Sequence, residues 1–541
     1  MRSRVFRMLW IANVFSSIGT WMQDVGAGWL MTSLAPTPVM VALVQTATTV
    51  PRFLLAIPAG ALADLLDRRR VLIATQLWMA SWAMVLGILT VSGAMDAYRL
   101  LLLVFLIGLG ASVSMPAWVA LMPDLVPRRD LPAAVALNSM AVNASRAIGP
   151  AVAGLLIGSL GTGTVFLFNA VSYLGIVGAL LLWHPTPERP ALPVERFAAA
   201  VRTGLRYVRF SCQLRTIMLR GGLFFLFGSV LWALLPLVAR QQMGGGPATF
   251  GLMVAMLGGG AVVGALLLPW ARRNWSVSQL VLGGSLVFSV ALVLLGQSRS
   301  VATGLPTLFL AGVAWLAVLS SLFVSAQLSL PRWVRGRGLS VFMAIFMGSM
   351  AGGAFLWGHV AEALGLPAAL GAAAAGLAIA AAASARLRFD PSVSDDLEPS
   401  GHWPEPETEA PVRGEEGPVM VTVEYDIDPA QRDGFLRLLA RLGATRRRDG
   451  AYFWSHFEDA ARAGRIVEVF LVESWVEHLR QHARVTVNDR ELQRELDVYL
   501  TDRPSRVRHW VHRRPVREDE GSGHEGSRRT DPAACPPPDA R

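Results

Sequence analysis

From about residue 8 to residue 385 the chain repeats one pattern: a run of apolar residues, a short polar turn, then another run. Runs of roughly 20 apolar residues match the length an α-helix needs to cross a bilayer. They predict spans at 8–33, 38–63, 71–91, 99–120, 133–158 and 163–183, then 216–239, 248–270, 277–297, 303–326, 339–362 and 366–385. Alternate turns differ in charge. One set holds Arg2, Arg4 and Arg7; Arg68, Arg69 and Arg70; Arg128 and Arg129; the segment 184–215; Arg272 and Arg273; Arg332, Arg335 and Arg337; and Arg386 and Arg388. The other set holds only Arg99, Arg240 and Arg299. Positive turns favour the cytoplasmic side, so both termini are predicted cytoplasmic with an even number of spans between them. Met1-Arg2-Ser3-Arg4 runs into a full-length span without a small-residue cleavage site, which reads as a retained first helix.

Between the sixth and seventh spans, His184-Pro185-Thr186-Pro187 leads into an amphipathic pattern. Phe197, Val201, Leu205 and Val208 recur at helical spacing, with Arg196, Arg202, Arg206 and Arg209 elsewhere. Such a basic helix can lie on an anionic membrane surface, or simply connect the flanking spans. After the last span the pattern changes. Residues 389–417 alternate proline with acidic residues and predict a disordered linker. Residues 418–512 then read as strand Val419–Asp426, helix Pro429–Leu442, strands Tyr452–Phe457 and Ile466–Glu473, helix Trp475–Leu500 and strand Val507–Val511. That is a ferredoxin-like α+β order. Its apolar alternation predicts one sheet face under the helices, with Glu468 expected on the open face. An open face seeks a partner, so a homodimer through this domain is expected. The linker, as a flexible coil, would reach about 25–30 Å. Residues 513–541 are polar and proline-rich, a predicted disordered tail.

Composition narrows the function. The 541 residues have a mean hydropathy of +0.44, with 53% hydrophobic and 16% charged. The net charge of +10 comes entirely from arginine, since the chain has no lysine. Those arginines sit mostly in turns and in the last quarter of the chain, which fits loop bias rather than a nucleic-acid partner. The expected partners are the lipid bilayer and a small-molecule substrate. Without lysine no Gly-x-x-x-x-Gly-Lys-Ser/Thr loop exists, so the energy source is expected to be an ion gradient. Cys212 and Cys535 fall in segments predicted to be cytoplasmic, where a disulfide is not expected.

An internal repeat divides the spans in two. Gly60-Ala61-Leu62 is followed by Arg68-Arg69, and Gly264-Ala265-Leu266 by Arg272-Arg273, 204 residues later; Leu268 replaces Asp64. Val126, Arg129, Leu131 and Ala136 are echoed by Val334, Arg337, Leu339 and Ala344, 208 residues on. The stretch Gly60-Ala61-Leu62-Ala63-Asp64-Leu65-Leu66-Asp67-Arg68-Arg69-Arg70 resembles the loop between the second and third helices of the major facilitator superfamily. Asp67 stands where that family usually has a second glycine. Gly149-Pro150-Ala151-Val152-Ala153-Gly154 resembles the signature of facilitator-family exporters, with Leu155 in place of its next glycine. Met122-Pro123-Asp124-Leu125-Val126-Pro127, Leu137-Asn138-Ser139, Leu234-Leu235-Pro236 and Glu473-Ser474-Trp475 are similar to the bacterial branch of enterobactin exporters and secretion permeases.

The resemblance implies a twelve-helix facilitator fold in two six-helix halves, with the ferredoxin-like domain appended. The expected divisions are 1–183, 184–215, 216–388, 389–417, 418–512 and 513–541. It further implies a bacterial inner-membrane exporter of a siderophore, secondary metabolite or drug-like compound; alternating access with proton coupling is the expected mechanism. The competing reading makes the spans an anchor, or part of a sensor, for a working C-terminal domain. No cofactor motif supports an enzyme there.

Few charges interrupt the spans. Asp24, Arg52 and Arg146 lie about 24, 17 and 20 Å from the cytoplasmic ends of their helices at 1.5 Å per residue. Together with Asn143 they are the candidates for transport and proton coupling, because intramembrane ionisable groups are expensive to bury. Asp24 and Arg52 could equally form a structural pair, and an arginine could snorkel to the interface. Asp24 is the expected proton carrier. Asp64 is expected to gate, with Gly60, Asp67 and Arg68 to Arg70 around it. His478 and His482 share a helix face at a spacing that zinc sites use, but no third ligand is evident in the sequence. They are expected to face solvent, with no metal bound.

Overall fold

The computed structural model describes residues 4–512 except 57, 60–65, 127, 184–196, 332, 388–399, 404–405, 407, 409–411 and 502–503. The first half comprises α1 (Arg4–Leu34), α2 (Pro38–Leu55), α3 (Arg68–Val91), α4 (Ala97–Leu125), α5 (Leu131–Leu160) and α6 (Thr162–Leu181). A connecting helix α7 (Phe197–Phe210) leads to α8 (Cys212–Leu237), α9 (Pro247–Asn274), α10 (Val277–Gln297), α11 (Val301–Leu328), α12 (Arg335–Leu364) and α13 (Leu366–Ala385). Among the described residues, eleven of these helices are long and apolar enough to cross a membrane. The exception among the twelve is α1. Asn13, Ser16, Ser17, Thr20, Gln23 and Asp24 interrupt its apolar character, yet it packs against α5 and α6 inside the same bundle.

Helix ends follow side-chain chemistry. Thr37, Asp67, Asp96, Ser211, Ser276 and Ser300 each accept a hydrogen bond from a first-turn amide, satisfying donors the helix leaves unpaired. Gly161 and Gly365 separate two tightly joined helix pairs with φ of 85° and 86°, a conformation open to glycine. These two glycines lie 204 residues apart, the repeat spacing read from the sequence.

The packing repeats with the sequence. In the first half α3 packs on α6, α2 on α4, and α1 on α5 and α6. In the second, α10 packs on α13, α9 on α11, and α8 on α12 and α13. The halves meet through α2 against α12 and, symmetrically, α5 against α9.

The C-terminal domain contains β1 (Val419–Asp426), α14 (Arg432–Asp449), β2 (Phe453–Glu458), β3 (Arg465–Val472), α15 (Trp475–Arg484), α16 (Val487–Asp497) and β4 (Arg506–Val511). Its antiparallel sheet has the order β2-β3-β1-β4, the ferredoxin-like arrangement expected. Val419, Val421, Val423, Ile466, Phe470 and Val472 are buried with Phe435, Leu439 and Leu442 of α14.

Four details differ from the sequence expectation. The single helix expected over 475–500 is two, because Val485 is extended and Thr486 starts α16 with a reciprocal cap to Asp489. Glu468 is fully buried on the helix-covered face, not the open one. Part of the linker is ordered: the Ser400 amide donates to Val485 O at 2.9 Å, and Trp403 Nε1 donates to Gln493 Oε1 at 3.1 Å. On α7, among the positions whose burial the structure describes, Gly204 and Tyr207 are buried while Leu205 is exposed. The C-terminal domain, rather than a membrane surface alone, sets that face, since α7 packs against both α12 and α14.

Candidate functional site

The interior of the first half contains a polar seam between α1 and α6. Asn169 is fully buried and donates from Nδ2 to Gln23 Oε1 at 2.8 Å. Ser172 Oγ donates to Asn169 O at 2.7 Å, and Thr20 Oγ1 lies 3.4 Å from Tyr173 Oη. Asp24 follows one turn after Thr20. Arg52, just after Pro51 in α2, acts electrostatically on Asp24, and both charges reach Tyr173. Asp24 and Arg52 are not joined by an ion pair within 4.0 Å, among the described residues. The two are coupled through space rather than in contact.

Arg146 points toward α1 from α5. Its guanidinium carbon stands 5.3 Å from the Trp21 ring centre, and its Nε is buried without a hydrogen-bond partner. Trp21 in turn lies 6.3 Å from Trp232 of α8, which lies 5.8 Å from Trp315 of α11. Phe224, Phe225 and Phe288 pack around Trp315. An arginine at one end of an aromatic seam crosses from one half to the other, which suits a ligand with apolar or π surface and anionic groups. Asn143 takes no part: its Nδ2 donates to Ser139 O at 2.9 Å in its own helix.

The Gly-Pro segment of α5 lies where the halves touch. A Cβ at Gly149 would stand 2.7 Å from Trp21 Cβ, and one at Gly154 would stand 2.8 Å from Pro247 O and 3.0 Å from Ala248 Cα. Pro150 has no N–H to offer Arg146 O, and Gly258 of α9 approaches that carbonyl closely. Glycine here permits backbone-to-backbone approach between halves. Gly60 and Asp64 lie outside the described residues. Asp67 caps α3, accepting from the Arg70 amide at 3.1 Å. Arg69 donates to Leu180 O and Leu181 O at 2.8 and 3.1 Å, tying α3 to the last carbonyls of α6. Arg68 begins α3, and the Arg70 side chain is largely exposed.

At the far end of the bundle from the C-terminal domain, the chain after Pro236 widens into a π-helical turn, Val238–Gln242. This aims Arg240 across the boundary between halves. Its Nη1 donates to Thr32 Oγ1 and Ser33 Oγ at 2.9 and 2.6 Å, and the guanidinium lies over Trp29. Gln241 Nε2 donates to Pro36 O at 3.3 Å.

The family model for transmembrane secretion effectors matches residues 1–516. The chain belongs to that family, within the major facilitator superfamily. It is 26% identical to the staphyloferrin A transporter of Staphylococcus aureus over 277 residues, covering 51% of this chain and 70% of that one. It is 26% identical to the multidrug efflux pump Tap of Mycolicibacterium fortuitum, covering 66% and 90%. It is also 26% identical to the enterobactin exporter of Shigella boydii serotype 18, covering 61% and 79%. Among solved structures, the nucleoside transporter NupG superposes with a TM-score of 0.60 at 11% identity, covering 71% of this chain and all of that one. An inward-facing bacterial homologue of the lysosomal transporter Spinster gives 0.56 at 16%, covering 72% and 98%. At these identities the structural likeness establishes the fold.

In this family member the C-terminal domain is held against the transporter. Arg202 and Arg206 of α7 pair with Glu473 and Glu477 at 3.1 and 3.7 Å. Arg206 also donates to Gly450 O at 3.3 Å, and burial lowers its pKa despite those carboxylates. Arg484 lies 4.2 Å from the Trp333 ring centre, at the turn before α12, and Arg448 lies over Tyr207. Inside the domain, Glu468 accepts from Arg446 Nε, Trp454 Nε1 and Tyr425 Oη at 3.2, 2.8 and 2.8 Å. His478 is buried, contrary to the solvent-facing expectation, and desolvation with neighbouring His509 and His482 pushes its pKa down to about 3.

Sequence reading missed Gln23, Asn169 and Tyr173 in the polar seam, the Trp21–Trp232–Trp315 series, and the role of Arg240. Asn169 left a readable signal, a lone amide within Phe166-Leu167-Phe168-Asn169-Ala170-Val171. The tryptophans left none, because apolar aromatics are ordinary in a membrane helix.

Proposed function

We propose that this protein exports a small organic molecule by alternating access, driven by protons entering through Asp24. The observation that carries the reading is Asp24, one turn beyond the Thr20–Tyr173 contact in the polar seam, beside an Arg146-to-tryptophan seam that spans both halves. A carboxylate in that setting can exchange a proton as water access changes. Arg146 and the tryptophans offer a place for an anionic, partly aromatic solute. Siderophores and drug-like compounds have that character, and relatives are named for both. Alternation would break and remake the contacts of Arg240 with α1, while α5 and α9 roll at their glycine crossing. The arginine-rich turns support a reading in which both termini and the C-terminal domain lie on the cytoplasmic side of a bacterial inner membrane.

The test is uptake into inside-out vesicles of a panel of catecholate, carboxylate and aromatic solutes, with and without an imposed pH gradient. Gradient-dependent accumulation by the wild-type chain that Asp24→Asn abolishes is the expected result. Accumulation equal in both proteins removes Asp24 from the coupling.

We further propose that a second copy of the chain covers the open face of the C-terminal sheet. Phe453, Phe457 and Trp510 are exposed there, beside Val467, Val469 and Leu471, and the opposite face is already closed by α14 to α16. Mass measurement of the full-length protein in detergent decides it: a dimer that Phe457→Asp disrupts is expected, and a monomer at all concentrations rejects it.

A further inference from the structure

His478 and His482 stand one turn apart on α15, and the fold brings His509 of β4 against them. The ligand atoms of the three rings all lie within 4.8 Å of one another. His478 Nε2 and His482 Nε2 are 3.2 Å apart, and the His478 and His509 ring centres are 4.7 Å apart. Four ligands held tetrahedrally at zinc–nitrogen distances of 2.0–2.1 Å stand about 3.3 Å from each other. The helix pair therefore already has the edge length of such a site, and the third ring's ligand atom lies within 4.8 Å of both. His478 is buried, whereas His482 and His509 are half-buried, so an ion has a route in. Around the rings, Trp475 packs on His478 and His509, and Trp403 packs on His482. An apolar shell around ligand imidazoles controls solvent access to a bound ion.

We propose that His478, His482 and His509 form a three-imidazole site for a divalent transition-metal ion, with its fourth position open. The donor set is all neutral nitrogen, which suits zinc, copper or nickel and disfavours magnesium or calcium. The site joins α15 to the edge strand β4. The same helix carries Glu477 and Arg484, which meet Arg206 of α7 and Trp333 before α12. Metal binding would thus stiffen the element through which the domain grips the transporter.

The experiment uses the full-length, untagged chain in detergent, stripped with chelator and titrated with Co²⁺ alone. One Co²⁺ per chain is expected, with the intense visible absorption of a four-coordinate site, displaced by equimolar Zn²⁺. His482→Ala and His509→Ala should each weaken binding at least about tenfold. His456→Ala, on β2 outside the cluster, should leave it unchanged. Because β4 is an edge strand whose variant could fail to fold, the wild-type chain supplies a second reading. Zn²⁺ should raise its melting temperature, and the increment should vanish in His482→Ala. Absence of saturable one-to-one binding in the wild-type chain overturns the proposal, as does full binding by either His482→Ala or a folded His509→Ala.

Discussion

Arg240 Nη1 donates a 2.6 Å hydrogen bond to Ser33 Oγ, joining the end of α8 to the end of α1 across the boundary between the halves. With the Thr32 contact, this fastens one end of the bundle around a charged donor. Hydrogen bonds to a charged group are worth about 1.5–3 kcal/mol each. Arg240→Gln should therefore shift the equilibrium toward the state open at that end by roughly tenfold or more. A cysteine placed at Ala35 should label faster with an impermeant maleimide in that background; unchanged labelling would show that the contact does not hold the end closed.

The crossing of α5 and α9 should be intolerant of side chains. Gly154→Ala places a methyl 2.8 Å from Pro247 O and 3.0 Å from Ala248 Cα, both backbone atoms that cannot turn aside. The halves must separate or shear, and transport should fall severalfold at normal expression. Gly259→Ala, on the same α9 but with nothing within 4 Å of the new methyl, is the control. It should be neutral or stabilise by up to about 1 kcal/mol through helix propensity. Equal effects from the two substitutions would refute the crossing as the cause.

Glu468→Leu should destabilise the C-terminal domain by about 3–5 kcal/mol, since it strands Arg446 in a buried position. Glu468→Gln, which keeps an acceptor for Trp454 and Tyr425, should cost less. Limited proteolysis of the full-length protein, read as the rate of cleavage within 418–512, orders the three proteins. Wild-type resistance in Glu468→Leu is the outcome that contradicts this.

The grip of the domain on the transporter rests on α7. Arg206→Glu meets Glu477 with like charge at a site where both side chains are largely buried. Hydrogen exchange at α7 and α15 should rise in that variant, whereas the core of the sheet around Val421 and Phe470 stays protected. Exchange that rises throughout the domain would mean unfolding rather than release.

Much of this architecture is local and so was legible in the chain. Span length, the arginine-rich turns, the repeated spacing of about 204–208 residues and the strand-helix order depend on neighbours in sequence. Bilayer thickness and backbone hydrogen bonding leave a long apolar run little choice but a helix. Asp24, Arg52 and Arg146 stood out for the same reason, being costly where they are. What each charge meets was decided only by packing. Glu468 shares alternation with Ile466 and Phe470, yet its charge suggested the open face; three donors that converge on it from α14, β1 and β2 make burial tolerable. Arg240 reads as an ordinary loop arginine until the turn after Pro236 carries it to Ser33. His509 lies 27 residues beyond His482 and becomes its neighbour only because β4 pairs beside β1 under α15. Periodicity reports which face of an element is apolar, but partners distant in sequence are selected by the closing of the whole chain.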